Sequence, residues 1–341
     1  MRLGLIKPVI AVAIAAALTG CLLSESVQTI TGPTMGSTYT IKYVQSAGVP
    51  EPQALKAEVD AYLATFDQEV STYRDDSAIE RFNQAEAGTC QAMPQSVLDL
   101  VAYGHTLNEQ SDGAFDLTLE PLLDLWGFGP RGQALRVPST ESLASTLARI
   151  GMQYLRIEGD QLCKDAAVQV DFNAIAAGYA VDRLTQLLQA RGITHLMVEA
   201  TGELKAIGHK PGGAPWRIGI EAPQADKRVA QRIIALDGYG VSTSGDYRNY
   251  FEENGHRYSH TLDPQTGAPI THSLAAVTVV TPLALHADGL STLLMVLGPE
   301  RGLAYAKQAN LAALFVVRDG EGFASFTTPA FDALFPAQEE E

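Results

Sequence analysis

The spacing of apolar residues along the chain predicts a mixture of helices and strands. Apolar and polar residues alternate over 38–44, which is typical of a half-buried strand, whereas over 51–66 apolar residues recur at helical spacing. Because strands and helices do not alternate strictly, we expect an α+β fold with mixed sheets and packed helices in a single large catalytic unit. Similar patterns predict helices over 96–109, after Ser139 and over 174–191, and strands over 168–172, 194–199, 215–221, 232–236, 257–262 and 274–280.

The first 21 residues have the pattern of a secretory signal peptide. Arg2 and Lys7 precede an apolar run at 9–18, which is too short for a bilayer that takes about 20 residues to span. The sequence Leu18-Thr19-Gly20-Cys21 resembles the lipobox of bacterial lipoproteins, although an ordinary signal peptide followed by a chance cysteine has the same features. We therefore expect a signal peptide at 1–20 and a lipid on Cys21.

This interpretation divides the chain into segments and predicts a location. Residues 21–31 would form a lipid-anchored tether, residues 32–336 the catalytic domain and residues 337–341 an acidic tail. The protein would lie on the periplasmic side of a bacterial membrane. Leu22 stands where an Asp would signal retention at the inner membrane, yet the choice between inner and outer membrane stays open.

Composition narrows the range of partners and chemistry. The chain has 39 acidic and 24 basic residues and a formal net charge of -15, so it lacks the basic footprint of a nucleic-acid-binding protein. Besides Cys21, Cys90 and Cys163 could pair in an exported compartment, but the sequence does not show that they approach each other. The chain has no Cys-x-x-Cys pair, no P-loop and no Gly-x-Ser-x-Gly elbow, which argues against zinc, P-loop and serine-hydrolase sites.

Two predicted strand-to-helix junctions carry groups suited to ligand binding. Asp171 ends a strand, and the small residues after it begin a helix whose free N–H groups suit a phosphate. Asp288, Ser291 and Thr292 are spaced to share one helix face, and a carboxylate with two hydroxyls suits Mg²⁺. Each junction also has a plainer explanation, since Asp171 could be a helix N-cap and the second set could be the polar stripe of an amphipathic helix.

Several short blocks follow one another from about residue 28 to residue 335. Two in tandem are the most specific, Ser242-Thr243-Ser244-Gly245-Asp246-Tyr247-Arg248 and Ser259-His260 with Asp263-Pro264-Gln265-Thr266-Gly267. In these blocks the chain resembles the ApbE family of FAD:protein FMN transferases. The other matching blocks are Thr34-Met35-Gly36-Ser37-Thr38, Ser71-Thr72-Tyr73, Gly113-Ala114-Phe115-Asp116, Leu125-Trp126-Gly127-Phe128-Gly129, residues 171–182 and Ala287-Asp288-Gly289-Leu290-Ser291-Thr292.

The resemblance implies an ApbE-like flavin transferase fold, FAD as substrate and Mg²⁺ at the FAD pyrophosphate. A Thr or Ser hydroxyl of a target protein would attack the FMN phosphorus of FAD, and AMP would leave. His260 and Asp288 are the candidates for catalytic roles, and which of them accepts the hydroxyl proton stays open. The implied FAD contacts are Met35, Tyr73, Ala114, Phe115, Asp116, Asp171, Ala177 and Leu262, and the implied Mg²⁺ ligands are Asp288, Ser291, Thr292 and the backbone carbonyl of Ala174.

The resemblance leaves the target and some competing functions open. It points to subunits of membrane redox complexes such as the Na⁺-translocating NADH:quinone reductase or the Rnf complex. An FAD pyrophosphatase, a non-enzymatic FAD-binding lipoprotein and a structural or solute-binding lipoprotein are the alternatives. The chain departs from the family pattern at Asn173, at Ala177, where many members carry Lys, and at Thr201-Gly202-Glu203, where a Gly-Gly-Asp-type turn is usual.

Overall fold

The computed structural model describes residues 25–132, 134–221, 230–247 and 249–336. The predicted signal peptide at 1–20, the lipidation site Cys21 and the acidic tail at 337–341 lie outside these described residues. None of the helices in the described ranges is both long enough and apolar enough to cross a membrane.

The helices of the described residues carry the labels α1 to α8 in chain order. Most of their buried residues recur at the spacing that the sequence predicts, as in the first of them, where Leu55, Val59, Leu63 and Phe66 are buried. The helices are α1 (Pro52–Val70), α2 (Ala78–Gln84), α3 (Gln95–Gln110), α4 (Glu120–Trp126), α5 (Thr140–Leu147), α6 (Ala176–Ala190), α7 (Ala284–Gln308) and α8 (Pro329–Leu334).

The strands of the described residues carry the labels β1 to β17 in chain order. They are β1 (Ser26–Thr34), β2 (Ser37–Gln45), β3 (Thr89–Ala92), β4 (Leu155–Glu158), β5 (Gln161–Lys164), β6 (Leu196–Ala200), β7 (Glu203–Ile207), β8 (Trp216–Glu221), β9 (Ala230–Leu236), β10 (Tyr239–Gly245), β11 (Tyr250–Glu253), β12 (His256–Ser259), β13 (Leu262–Asp263), β14 (Ala268–Pro269), β15 (Leu274–Thr281), β16 (Ala312–Asp319) and β17 (Gly322–Thr327).

An antiparallel sheet of eight described strands, in the order β1-β2-β6-β7-β10-β15-β16-β17, forms the centre of the fold. Side chains of β15 alternate between two cores, since Val277 and Val279 belong to the core under α1, α6 and α7 while Ala276 and Val280 belong to the core under β8, β9 and α8. Because both faces of the sheet are covered, all eight residues of β15 are buried, which explains its continuous apolar run. The predicted α+β class is confirmed.

The start of α7 is held between α6 and β10 by close backbone contacts. A Cβ on Gly178 of α6 would lie 2.5 Å from the carbonyl oxygen of Ala284, and a Cβ on Gly240 of β10 would lie 2.6 Å from the Ala284 Cα. Only glycine permits these approaches. The contacts place the first turns of α6 and α7, which carry the residues of both predicted junctions, next to each other.

A small sheet in the order β3-β5-β4 answers the question that the sequence left open about the cysteines. Cys90 and Cys163 face each other in register on β3 and β5 and form a disulfide. The next residue on β5 is Lys164, whose buried ammonium donates to the carbonyl oxygens of Asn83 and Val168. The disulfide-bonded sheet therefore anchors the chain segment that leads to Asp171.

Two predictions about the backbone are wrong. Residues 26–31 are not part of a tether, because they belong to β1, which pairs with β2 from Ser26 opposite Gln45 to Thr34 opposite Ser37, with Ile30 buried. The domain therefore begins by Ser26 and not at residue 32. Residues 168–172 are not a strand, because the Asn83 side chain replaces a neighbouring strand: its Oδ1 accepts from the Val170 N–H and its Nδ2 donates to the Val170 carbonyl.

Candidate functional site

The two junctions that the sequence singles out meet at the beginning of α6. The backbone N–H of Gly178, in the first turn of α6, donates to Oδ2 of Asp288 on α7 over 2.9 Å. In return, Oδ2 of Asp182 on α6 accepts from the backbone N–H of Leu285 over 3.0 Å. Each helix thus presents a carboxylate to free N–H groups at the start of the other, where helix dipoles favour negative charge.

A group of hydroxyls surrounds Asp288. Ser291 Oγ lies 3.1 Å from Ser242 Oγ and 2.9 Å from Ser244 Oγ, and Ser244 Oγ lies 3.4 Å from Thr292 Oγ1. The serines of β10 point to the same face because they are two residues apart on a strand. The name "Asp288 cluster" is used below for Asp288, Ser291, Thr292, Ser242, Ser244 and Glu203.

Glu203 completes the Asp288 cluster as a second, half-buried carboxylate. It accepts from the hydroxyl of Thr201 over 2.8 Å, and the Ser242 hydroxyl lowers the pKa of both Glu203 and Asp288 against the effect of burial. Burial is the largest cause that raises the pKa of Asp288 well above its usual value, and the charge of Glu203 raises it further. The pKa of Glu203 is raised as well, first by burial.

The donors of the Asp288 cluster fit a hard cation. The salt bridges among the described residues include neither Asp288 nor Glu203, so the negative charge here has hydroxyls and N–H groups as partners but no protein cation. A buried charge without a counterion is costly, and carboxylate and hydroxyl oxygens are ligands that Mg²⁺ accepts. The cluster is therefore chemically suited to the Mg²⁺ site that the resemblance implies.

Ala174 lies in the turn at 173–175 that precedes α6, so the helix begins two residues later than the pattern predicts. Because the Gly178 N–H donates to Asp288, it does not close a helical bond to residue 174. Within the described ranges no backbone N–H outside the regular elements donates to the Ala174 carbonyl. The carbonyl oxygen of Ala174 can therefore accept a ligand, which suits its predicted role as a metal ligand.

Asp171 is buried just upstream of that turn. Its carboxylate accepts from the Asn173 N–H, from Asn173 Nδ2 and from Thr72 Oγ1, at 2.8, 2.8 and 3.3 Å. Burial raises the pKa of Asp171 to about 6. Its neighbour Tyr73 is 65% exposed, and after burial the charge of Asp171 is the next cause that raises the pKa of the Tyr73 phenol. The two predicted FAD contacts therefore lie together at the surface end of a buried hydrogen-bond network.

The predicted contacts at 114–116 lie against the same segment, since the Asp171 N–H donates to the Leu117 carbonyl over 2.8 Å. Ala114 and Phe115 are each 3% exposed and pack in the main core. The Asp116 carboxylate accepts from the N–H and hydroxyl of Thr118 and from the Met152 N–H. These side chains are committed to interactions within the protein, so they shape the wall of a site and leave little side-chain surface for a ligand.

His260 and Leu262 lie in another part of the predicted site, beside α4. His260 lies between β12 and β13, where its N–H donates to the Asn249 carbonyl and its Nδ1 lies 3.0 Å from the same oxygen. Burial lowers the pKa of His260 below its usual value. Leu262 is buried with Trp126 of α4, whose indole N–H donates to the Gly267 carbonyl over 2.8 Å.

Two interactions connect the group of His260 and Leu262 to the rest of the predicted site, one to the block at 113–116 and one to the Asp288 cluster. Gln265 Nε2, in the turn after β13, donates to the carbonyl of Asp112, next to the block at 113–116. On the other side, Asp246 follows Ser244 of the Asp288 cluster, and its charge raises the pKa of His260 against the effect of burial. The two remaining predicted FAD contacts take no part in these interactions. Met35 occupies the β1–β2 turn with φ 43°, and Ala177 is buried in the first turn of α6.

Three members of the Asp288 cluster are not among the predicted site residues. Ser242 and Ser244 lie in one of the blocks that resemble the ApbE family, and their spacing of two on a strand is the signal that predicts a shared face. Glu203 lies in the turn that departs from the family pattern, and no local signal links it to the site. Its position opposite Asp288 depends on the order of β6, β7 and β10 in the sheet, which local patterns do not reveal.

The chain is similar to several known proteins along most of its length. The ApbE family model matches residues 35–315. FAD:protein FMN transferases from Vibrio cholerae and Escherichia coli K12 are 42% and 36% identical to this chain, and the matches cover 92% of the chain in both cases and 94% and 91% of the relatives. The flavinyl transferase ApbE of Pseudomonas stutzeri, solved in its apo form, has 59% identity and a TM-score of 0.88, covering 93% of this chain and 99% of that one. The Vibrio cholerae flavin transferase structure has a TM-score of 0.85 at 40% identity, covering 91% and 100%.

Proposed function

Because the chain belongs to the ApbE family and is a flavin transferase, we propose that it uses Mg²⁺ to transfer the FMN moiety of FAD to a Thr or Ser hydroxyl of exported acceptor proteins. The P–O bond between the FMN phosphorus and AMP breaks, a P–O bond to the acceptor oxygen forms, and the hydroxyl proton leaves to a base. AMP is the other product. FAD is thus a substrate and not a resident cofactor.

The Asp288 cluster is the proposed position of Mg²⁺. Asp288, the Ser291 and Thr292 hydroxyls and the carbonyl of Ala174 would hold the ion, which would neutralise charge on the pyrophosphate of FAD. The Gly178 N–H keeps Asp288 oriented toward the start of α6. In the same first turn of α6, the N–H groups of Ala176, Gly178 and Tyr179 already have acceptors within the protein. The backbone N–H of Ala177 would therefore be the donor to a phosphate, in place of a side-chain cation at this position.

His260 is the proposed general base. A carbonyl oxygen only accepts hydrogen bonds, so the contact of Nδ1 with the Asn249 carbonyl indicates that Nδ1 carries the proton. Nε2 is then the basic nitrogen. Because burial lowers the pKa of His260, the ring is neutral at physiological pH and can take the proton of the acceptor hydroxyl.

Asp171 and Tyr73 would orient FAD at the other end of the site. The Asp171 carboxylate is fixed by Thr72 and Asn173. A buried carboxylate with its geometry fixed in this way suits recognition of N–H or O–H donors, such as those of adenine or ribose. Tyr73 has an exposed ring that can cover a planar ligand.

The observation that carries the proposal is the Asp288 cluster at the N-terminus of α6, whose carboxylates have no salt bridge to a cation among the described residues. The decisive experiment incubates the protein with FAD, Mg²⁺ and an acceptor domain, and then measures the mass of the denatured acceptor. We expect one added FMN on a Thr or Ser and an equal amount of AMP. Chelation of divalent cations should abolish both products, and free FMN with an unmodified acceptor would identify an FAD pyrophosphatase instead.

Lipid anchoring on Cys21 is proposed to place this site near membrane redox complexes. The acceptors would be exported parts of subunits such as those of the Na⁺-translocating NADH:quinone reductase or the Rnf complex. Since Ser26 already belongs to β1, at most a few residues separate Cys21 from the folded domain. Such a short connection would raise the effective concentration of membrane-bound acceptors. Cys21→Ala should therefore preserve activity on a soluble acceptor domain and reduce modification of the intact membrane subunit.

A further inference from the structure

A cavity rich in arginine lies outside the residues assigned so far. It has a volume of about 280 Å³ and lies between α4, α5 and the loop that joins them. The name "arginine cleft" is used for this cavity with its guanidinium groups from Arg131, Arg136 and Arg149. In a chain with 39 acidic and only 24 basic residues, three guanidinium groups line this one cavity together with a single carboxylate, that of Asp124.

The three arginines differ in how far their charge is already used. Arg131 binds the buried carboxylates of Glu80 and Glu120. By contrast, no salt bridge among the described residues includes Arg136 or Arg149, and the guanidinium of Arg149 has only a long contact of 3.4 Å to the hydroxyl of Thr146. Two exposed guanidinium groups therefore keep donors that match a carboxylate in bidentate geometry.

The position of the arginine cleft relates it to the proposed active site. Asp124 of α4 lines the cleft and also acts on the pKa of Asp171 and of Tyr73 through its charge. On the same helix, Leu125 lines the cleft and is followed by Trp126, which packs with Leu262. The cleft is thus adjacent to two groups of predicted FAD contacts, although its lining contains none of those residues.

From these observations we propose that the arginine cleft binds an acidic segment of the acceptor protein, with one or more Asp or Glu side chains near the hydroxyl that receives FMN. The proposal rests on the proposed function and adds the chemical class of segment that the enzyme selects. Carboxylates on the acceptor would pair with Arg136 and Arg149. Such pairing fixes the register of the segment and raises the rate of encounter with an acidic partner against the repulsion of the net charge of -15.

The test measures steady-state FMN transfer to an exported acceptor domain of an Rnf subunit by the full-length protein and its double variant Arg136→Glu/Arg149→Glu. We expect KM for the acceptor to rise at least tenfold, while KM for FAD changes less than twofold. A matched control, Arg217→Glu/Arg301→Glu, changes two exposed arginines elsewhere by the same net charge and should leave both constants unchanged. A rise in KM for FAD, or an equal effect in the control, would overturn the proposal.

A second measurement separates this proposal from the function on which it depends. A short peptide with two aspartates should inhibit transfer by wild-type protein in competition with the acceptor, and the same peptide with asparagines should not. Equal inhibition by the two peptides would contradict recognition of carboxylates. If the wild-type protein releases AMP but never modifies the acceptor, the transfer function itself fails, whatever the arginine variants do.

Discussion

Two groups of buried carboxylates in this protein have their charge compensated in different ways. Glu80 and Glu120 are fully buried, and Arg131 bridges them from the surface, while Asn83 donates to Glu120 over 2.7 Å. In the Asp288 cluster, Asp288 is buried and Glu203 is half-buried, and the partners that these two carboxylates have among the described residues are hydroxyl and N–H groups. The first group has its cation within the chain and is called the complete group, although Oε2 of Glu80 has no hydrogen-bond partner among the described residues. The second, called the incomplete group, would take its cation from solution if it is the proposed Mg²⁺ site.

The largest expected effect comes from neutralising the incomplete group. Asp288→Asn keeps the size of the side chain but removes the charge, so FMN transfer should fall by about 10²–10³-fold. The melting temperature should stay the same or rise, because a buried charge without a counterion is removed. Transfer is measured by flavin fluorescence of the denatured acceptor, and melting by calorimetry in the presence of a chelator. Activity above a tenth of wild type would show that Asp288 holds no essential metal.

The complete group should respond in the opposite way. Arg131→Met leaves Glu80 and Glu120 buried without their cation, which should lower the free energy of unfolding by about 3 kcal/mol at pH 8, near the lower end for buried pairs because Arg131 is partly exposed. Chemical denaturation measures the change, with Arg217→Met as the control. Adding Glu120→Gln to Arg131→Met should recover part of the loss, and no recovery would mean that Arg131 stabilises the loop by packing alone.

The disulfide is connected to the complete group through Lys164, which follows Cys163 and donates to the carbonyl of Asn83, the residue that donates to Glu120. Changing Cys90 and Cys163 to Ser together should lower the free energy of unfolding by about 3 kcal/mol, because the unfolded chain regains the freedom of a long loop. KM for FAD should rise only modestly, since Lys164 and Asn83 keep their own hydrogen bonds to the segment before Asp171. Denaturation and transfer assays with reduced wild-type protein provide the comparison. A collapse of Mg²⁺-dependent transfer without a change in stability would contradict this division between the two regions.

Asp171 lies between the two groups and gives the smallest expected effect, a change in pH dependence. Its pKa is raised from 3.8 to about 6, so its contribution to stability is present below pH 3.8 and is lost as pH rises through 6. The free energy of unfolding of the wild-type protein should decrease between pH 4 and pH 7. In Asp171→Asn this decrease should be smaller by about 2 kcal/mol. Denaturation at both pH values measures the difference, and Asp160→Asn at an exposed position is the control. Parallel pH profiles for wild type and Asp171→Asn would refute the raised pKa.

Local patterns predicted the parts of the fold in which neighbouring residues dictate the structure. The amphipathic spacing of α1, the side-chain cap of Ser139 on α5 and the continuous apolar run of β15 were readable because helix and strand periodicity act over a few residues. The tether was wrong because the mostly polar residues of β1 are held by pairing with β2, and the strand at 168–172 was wrong because a side chain of Asn83 takes the place of a strand.

For the site, the sequence by itself singled out the candidate residues, Asp171, Asp288 and the hydroxyls of α7, and through the family blocks it predicted FAD as the substrate. The tertiary structure alone decided that Glu203 and two serines of β10 join Asp288, and that Arg131 neutralises Glu80 and Glu120. The reason is physical. Residue type sets what a side chain can bind, but whether a buried charge has a partner depends on contacts between residues far apart in the chain, which only the packed sheet and helices create.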